Sequence, residues 1–209
     1  MSEFRVAVLA SGTGTNLQAI LDQLHGRDGI EVVGVGSNRP DAVALERAAA
    51  AGIGTAVFER SSRPDREARD VAIGDWIESL QADLIVLAGY MELLSDSFVG
   101  RFRNRIINVH PALLPAFPGI DAIDQALEHG VKVIGVTVHF VDEGVDSGPI
   151  ILQRAIDVPY TRSVEEVEEL IHPVEHELLP RAIRLIAAGA ISFDPQNPRL
   201  VRIDEHAGV

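Results

Sequence analysis

An amide, an imidazole and a carboxylate stand in two short stretches of this chain. Together they can serve a reaction that builds up an oxyanion and moves a proton. Asn108 and His110 lie in Ile107-Asn108-Val109-His110-Pro111-Ala112-Leu113-Leu114-Pro115, and Asp146 in His139-Phe140-Val141-Asp142-Glu143-Gly144-Val145-Asp146-Ser147-Gly148-Pro149. An asparagine N–H can donate to a developing oxyanion. A histidine can donate to the same oxygen or take the proton that leaves an attacking amine. Asp146 can orient His110, raise its pKa, or hold a water that relays the proton. No protein nucleophile is needed, so the set suits transfer of an acyl or formyl group from a donor straight to an acceptor amine. Each residue also has a plain structural use. Asn108 can close a turn, His110 can fill the core with its nitrogens satisfied, and Asp146 can cap the turn at Ser147-Gly148. His139 lies within an apolar strand and reads as a core histidine bonded to backbone, with a supporting part at most.

The elements around these residues must aim them. Residues 105–110 read as a strand running into a loop stiffened by Pro111, Pro115 and Pro118. Two residues apart on a strand share a face, so Asn108 and His110 can point at one spot. The carboxyl ends of strands are where open α/β sheets bind ligands. Upstream, residues 4–10 read as a buried parallel strand with a tight turn after it. A helix from Asn16 follows, with Leu17, Ile20, Leu21 and Leu24 on one face. Then come a strand at 31–35, a helix at 41–51 stopped by Gly52, a weak strand at 56–58, a polar helix at about 64–81 and a strand at 83–88 ended by Gly89. Downstream, 122–129 reads as a helix, and 131–141 and 149–158 as strands able to pair antiparallel. Residues 164–188 read as a long helix that Pro173 and Pro180 must bend or interrupt, and the tail after Gly189 as a small strand pair with Pro195 and Pro198 in its turn. This alternation implies an α/β fold: an open, mostly parallel twisted sheet with helices on both faces and an antiparallel C-terminal portion. Residues 142–147 are the segment expected to move, because Gly144 and Gly148 flank it.

Ser11-Gly12-Thr13-Gly14-Thr15-Asn16 joins the first strand to the first helix. Glycines let the backbone approach a ligand, and a helix N-terminus presents free N–H groups. Leu17 stands where a dinucleotide fingerprint needs its third glycine, and no lysine follows the glycines as in a P-loop. A monophosphate cradle is one reading; a plain turn with Thr15 or Asn16 as N-cap is the other. His172-Pro173-Val174-Glu175-His176 matches the H-x-x-E-H zinc pattern. Pro173 breaks regular helix inside it and no third ligand is evident, so no metal is expected. Glu175 can instead accept hydrogen bonds from a ribose diol.

Composition narrows the class. The 209 residues carry 18 basic and 31 acidic side chains, a formal net charge of −13, and no cysteine. A nucleic-acid backbone is repelled by most such surfaces. Disulfides, thiolate metal sites and cysteine nucleophiles are excluded. With neither a signal-peptide pattern nor a run of about 18 apolar residues, a cytoplasmic protein without membrane partners is the expectation.

Four separated stretches, in order, resemble the folate-dependent phosphoribosylglycinamide formyltransferase family over nearly the whole chain. They are Ala10-Ser11-Gly12-Thr13-Gly14-Thr15-Asn16-Leu17-Gln18, Leu87-Ala88-Gly89-Tyr90-Met91, Asn108 to Pro115 with Phe117-Pro118-Gly119, and Val136 to Val141 through Asp146-Ser147-Gly148-Pro149. The resemblance implies a single Rossmann-like formyltransferase domain over 1–209, with a phosphate-binding half at 1–100 and a folate-binding, catalytic half at 101–209. It implies 5-phosphoribosyl glycinamide as acceptor, 10-formyltetrahydrofolate as cosubstrate, small-molecule substrates only, and a monomer or homodimer. It assigns Asn108, His110 and Asp146 to catalysis. Gly12, Thr13, Gly14, Thr15, Asn16, Gly89, Met91, Pro111 and Glu175 fall to the acceptor. Arg66, Met91, Glu92, Leu94, Val99, Asn108, Val141, Asp142, Val145 and Asp146 fall to the folate. Glu92 departs from the pattern, standing where some members carry a second arginine near the folate tail. His172 stands where members often have glutamine or lysine, and Asp121 and Ile123 replace histidines found in some. Two relatives offer other readings. Formyltetrahydrofolate deformylase usually has an added N-terminal domain, for which a first strand at Phe4 leaves no room. Methionyl-tRNA formyltransferase is a longer chain that must bind RNA, against a charge of −13.

Overall fold

The computed structural model describes residues 3–160 and 163–204. The chain divides into two compact units, Met1–Asn108 and Val109–Val209.

The first unit alternates strand and helix: β1 (Phe4–Leu9), α1 (Thr15–Gln23), β2 (Ile30–Ser37), α2 (Val43–Ala50), β3 (Thr55–Val57), α3 (Arg66–Ser79), β4 (Leu84–Leu87), α4 (Asp96–Arg101) and the start of β5 (Ile106–His110). Its strands lie in the order β3-β2-β1-β4-β5, all parallel. Val6 to Leu9 and Leu84 to Leu87 are buried throughout, as apolar runs covered on both faces must be. Asp65 caps α3 by accepting the Ala68 N–H at 2.8 Å, and Ser95 caps α4 through the Phe98 N–H. Helix α4 leaves no clear periodic signal in the sequence. It spans six residues including Gly100, too few to hold a turn without the packing of Phe98 and Val99.

Among the described residues the largest fully buried side chain is an arginine. Arg69 donates from Nε and Nη2 to Asp70 Oδ1 (3.1 and 3.0 Å), from Nη1 to Glu92 Oε2 (2.8 Å) and from Nη2 to the Leu93 carbonyl (3.0 Å). Asp70 Oδ2 accepts the Ser95 N–H at 2.6 Å. These bonds run from α3 to the segment that follows β4.

The second unit opens with the end of β5 and continues through α5 (Ala122–Glu128), β6 (Val133–Phe140), β7 (Ile150–Asp157), α6 (Val164–Ala187), β8 (Ile191–Phe193) and β9 (Val201–Ile203). β6 pairs antiparallel with β7, and β8 with β9, as the sequence suggests. Helix α6 packs on β6 and β7 and is capped by Ser163, whose side chain accepts the Glu166 N–H. Pro173 and Pro180 both lie inside this one continuous helix, so the interruption allowed for in the sequence does not occur. Each proline costs about 3 kcal/mol in a helix interior. Buried Val167, Ile171, Leu178, Leu179 and Ile183 contribute about 1.5–3 kcal/mol apiece and outweigh that cost. No helix among the described residues is long and apolar enough to cross a membrane.

Replacing Arg69 by Met strands the buried Asp70 carboxylate without its cation. Urea unfolding is expected to show a loss of about 3–5 kcal/mol, and a loss below about 1 kcal/mol would show that the network does not carry this load.

Candidate active site

In the first unit the loop after β1 is anchored from behind, one carbonyl at a time. The Gly12 carbonyl accepts the Ala44 N–H at 3.1 Å, the Thr13 carbonyl accepts Arg47 Nε at 2.8 Å, and the Gly14 carbonyl accepts the Gln18 N–H at 2.9 Å. Arg47 Nη1 also donates to Gln18 Oε1 at 3.0 Å. With its carbonyls drawn back onto α1 and α2, such a loop can turn its N–H groups outward. The N-cap of α1 is Gly14, at φ 71°, with no side-chain cap bond. That sets aside Thr15 or Asn16 as N-cap and leaves the first turn of the helix open to an anion. A Cβ on Gly14 would lie 2.8 Å from Ala44 Cα, so the position needs glycine for both its backbone and its packing. Gly12 and Thr13 are exposed, Thr15 is half-buried and Asn16 is buried.

A ring of hydrogen bonds ties this loop to the segment after β4. Ser11 Oγ donates to Asn38 Oδ1 at 2.6 Å and accepts the Met91 N–H at 2.8 Å. Asn38 Nδ2 reaches Glu92 Oε1 at 3.4 Å, and the other Glu92 oxygen takes Arg69. The Ser11 N–H donates to the carbonyl of Gly89, which sits at φ 72°. Glu92 is thus engaged on both carboxylate oxygens from within its own unit. Of the other positions matched to folate here, Met91 is 69 % exposed, Arg66 is exposed at the start of α3, Leu94 is half-buried and Val99 is buried in α4. Asn108 lies opposite Leu87 on β4 and is half-buried.

In the second unit a carboxylate lies between two buried imidazoles. Asp146 Oδ2 is 3.4 Å from His110 Nδ1 and Oδ1 is 3.6 Å from His139 Nε2. Asp146 Oδ2 also accepts the Gly119 N–H at 2.8 Å. The far nitrogen of each ring faces a backbone carbonyl: His110 Nε2 lies 2.8 Å from Phe117 O, and His139 Nδ1 lies 2.8 Å from Phe140 O. A carbonyl can only accept, so both far nitrogens carry protons. In a neutral His110 ring the near nitrogen then presents a lone pair to Asp146, which accounts for a separation longer than a charge-assisted hydrogen bond of about 2.7–2.9 Å. A proton taken up on that nitrogen would be held by Asp146. For His110 to donate through Nε2 to a reacting oxygen, that oxygen must take the place of the Phe117 carbonyl.

Burial sets the resting state. It pushes the His110 pKa below the usual histidine value, outweighing the upward pull of Asp146 and of the Phe117 carbonyl. Asp146 does pull upward, as considered from the sequence, but the net direction is downward. Burial also pushes Asp146 up, but the His139 ring 3.6 Å away, the Gly119 N–H and His110 together hold it below the ordinary aspartate range. A neutral imidazole beside an ionised carboxylate is a base ready for an incoming proton.

The Asp146 loop is tied to itself by hydrogen bonds. Asp142 Oδ1 accepts Ser147 Oγ at 2.6 Å and the Gly144 N–H at 3.1 Å. A Cβ on Gly148 would meet the Phe140 carbonyl at 1.8 Å, so Gly148, taken in the sequence for a hinge, is here required by close approach. Val141 is half-buried and Val145 exposed; Pro111 is half-buried directly after His110. Glu175 is buried on α6. The rings of His172 and His176 stack with centroids 6.1 Å apart, and no cluster of three metal-binding side chains occurs among the described residues. Sequence reasoning gave no part to Arg47, Ser11 and Asn38 in the first unit or to Gly119 in the second, and allowed His139 the supporting place it takes beside Asp146. Each is marked out by the group it meets within its own unit, which no short stretch of sequence shows.

A family model described as "Formyl transferase" matches residues 4–183. The chain is 42% identical over 181 residues to the phosphoribosylglycinamide formyltransferase of Bacillus subtilis (strain 168), covering 86% of this chain and 93% of that protein. It is 42% identical over 202 residues to the trifunctional purine biosynthetic protein adenosine-3 of Bos taurus, covering 96% of this chain and 20% of that protein. The chain therefore spans about a fifth of that longer relative. The structure of glycinamide ribonucleotide transformylase 1 from Symbiobacterium toebii superposes at a TM-score of 0.91 with 48% identity, covering 96% of this chain and 94% of that one. The two share a fold.

His110 should titrate below 6.5 in an NMR pH series, and lower still after Asp146→Asn, which removes the charge that raises it. Because the unfolded chain binds this proton more readily, the stability linked to His110 is complete above about pH 6.5 and is lost as pH falls toward the folded-state value. A midpoint above 6.5, or an upward move in Asp146→Asn, would contradict the assignment.

Proposed function

The chain belongs to the phosphoribosylglycinamide formyltransferase family, and on that premise we propose that it transfers a formyl group from 10-formyltetrahydrofolate to the amine of 5-phosphoribosyl glycinamide in de novo purine biosynthesis. The observation that carries the reading is the His110–Asp146 pair, 3.4 Å apart, on a strand whose alternate residue is Asn108. Residues two apart on a strand point the same way, so amide and imidazole serve one reacting centre.

The acceptor amine attacks the formyl carbon directly. A new C–N bond forms, the bond from that carbon to the folate nitrogen breaks, and one proton passes from the amine to the departing nitrogen. Asn108 donates to the formyl oxygen as charge gathers on it. His110, neutral at rest, accepts the amine proton; Asp146 holds the resulting imidazolium and lets the proton go on to the leaving nitrogen. Thr13, Gly14, Thr15 and Asn16 take the acceptor phosphate at the uncapped N-terminus of α1. Gly12, Gly89, Met91, Pro111 and Glu175 complete the acceptor's surroundings, with Glu175 on its ribose. Exposed Arg66 faces the folate tail, while the backbone near Met91 and residues 142–146 read its ring, with Leu94, Val99, Val141 and Val145 around it. Glu92 serves this site through Arg69 and Asn38, which engage its carboxylate.

Asn108→Ala is expected to lower kcat by about 10²–10³, or roughly 3–4 kcal/mol, and Asp146→Asn by at least as much, in a spectroscopic assay of folate deformylation. Turnover should require the phosphorylated acceptor. Turnover at the same rate without acceptor would make the protein a hydrolase, and variants within a few-fold of the parent would remove these residues from the chemistry.

A further inference from the structure

The residues beyond 183 lie outside the matched family model, yet they bear directly on the Asp146 loop. The β8–β9 hairpin touches both ends of that loop and its middle. Phe193 on β8 packs at a tilt against Phe140, the last residue of β6, with ring centroids 5.1 Å apart. Leu200 bridges in parallel to Ile150, the first residue of β7. Between these contacts, Arg199 Nη2 donates to the Ser147 carbonyl at 2.6 Å, one residue from Asp146.

The hairpin turn is built to present that arginine. Asp194 Oδ1 accepts the N–H groups of Gln196 and Asn197 at 2.8 and 3.0 Å, and its other oxygen pairs with Arg202. Asn197 in turn accepts the Arg199 N–H on its side chain at 3.1 Å and the Leu200 N–H on its carbonyl at 2.8 Å. The loop it meets is under strain: Asp146 sits at φ 47°, in the left-handed region that L-residues seldom adopt. Such a residue persists only where its surroundings over-determine it. Gly119, His110 and His139 fix the Asp146 side chain, and Asp142 fixes the loop on its N-terminal side. A charged donor on the Ser147 carbonyl fixes the peptide just beyond.

We propose that the C-terminal hairpin positions the catalytic carboxylate, and that Arg199 is its point of action, a positioning residue that holds Asp146 toward His110. This rests on the reading of Asp146 given above. Misplacing a catalytic group by about an ångström can cost up to about 10²-fold; a single exposed anchor among several should cost about tenfold.

The test is steady-state kinetics on the full chain carrying Arg199→Ala or Arg199→Lys, each also combined with Asp146→Asn. Arg199→Ala should lower kcat about tenfold, leave both KM values within twofold and leave Tm unchanged. Arg199→Lys, which keeps a cationic donor, should recover most of the loss. In the Asp146→Asn background Arg199→Ala should cost nothing further, because the group it positions is already gone. Arg199→Ala within twofold of the parent, beside an Asp146→Asn enzyme that is crippled, overturns this inference alone. So does a loss that tracks Tm and is not recovered by lysine, or one that multiplies fully with Asp146→Asn. Parent-like activity in Asp146→Asn overturns the reading of the site, and the inference with it.

Discussion

The arrangement turns on one carboxylate held where it would not choose to be. Asp146 occupies a left-handed backbone position and lies in a partly dry environment, beside two imidazoles whose far nitrogens are committed to carbonyls. Burial works against the charged forms of His110 and Asp146. It lowers the His110 pKa and by itself would raise that of Asp146. What keeps Asp146 ionised is its company: the His139 ring, the Gly119 N–H and His110. The cluster therefore rests with neutral His110 beside an anion, the combination that gains most when a proton arrives.

That solution explains why the chain around Asp146 is so constrained. Gly148 leaves no room for a side chain, and Asp142 ties Ser147 and Gly144 together. Gly119, on the far side, supplies its N–H from the proline-stiffened loop that begins at His110. The imidazole and its carboxylate are thus joined through a short closed circuit of covalent chain and hydrogen bonds. A loop tied in this way sets where the Asp146 carboxylate stands relative to His110.

Periodicity made the fold legible: apolar runs at 4–9 and 84–87 gave buried parallel strands, and the spacing of Leu17, Ile20 and Leu21 gave α1. It failed at α4, which is too short to carry a pattern, and it overstated the prolines of α6, because burial along a long helix outweighs two local defects. At the site, Asn108, His110 and Asp146 were visible because their side chains are chemically distinctive. Arg47 and Ser11 were not. Each acts on backbone atoms of a neighbouring segment, and which backbone a side chain meets is decided by packing that no short stretch encodes. His139 shows the limit most clearly. Its apolar neighbours place it in the core, correctly, and in this molecule the core is where a carboxylate partner waits.

On a chain of formal charge −13 any attraction for an anion has to be local. At physiological ionic strength a distant surface charge is screened beyond about 8 Å, so the many exposed acids matter little to a phosphate in contact with backbone N–H groups. What matters is the orientation of a few dipoles. The loop after β1 meets that need by surrendering its carbonyls: Ala44, Arg47 and Gln18 each draw one back toward the helices. Arg47 does this with a guanidinium, adding positive charge behind the loop while its hydrogen bonds aim the loop outward. Glu92, by contrast, is an acid beside the segment matched to the folate. Arg69 and Asn38 engage both of its oxygens, so its charge is compensated where an anion would approach. The buried arginine of the first unit thus serves two acids at once: it offsets Asp70 in the core and Glu92 at the half-buried end of the network.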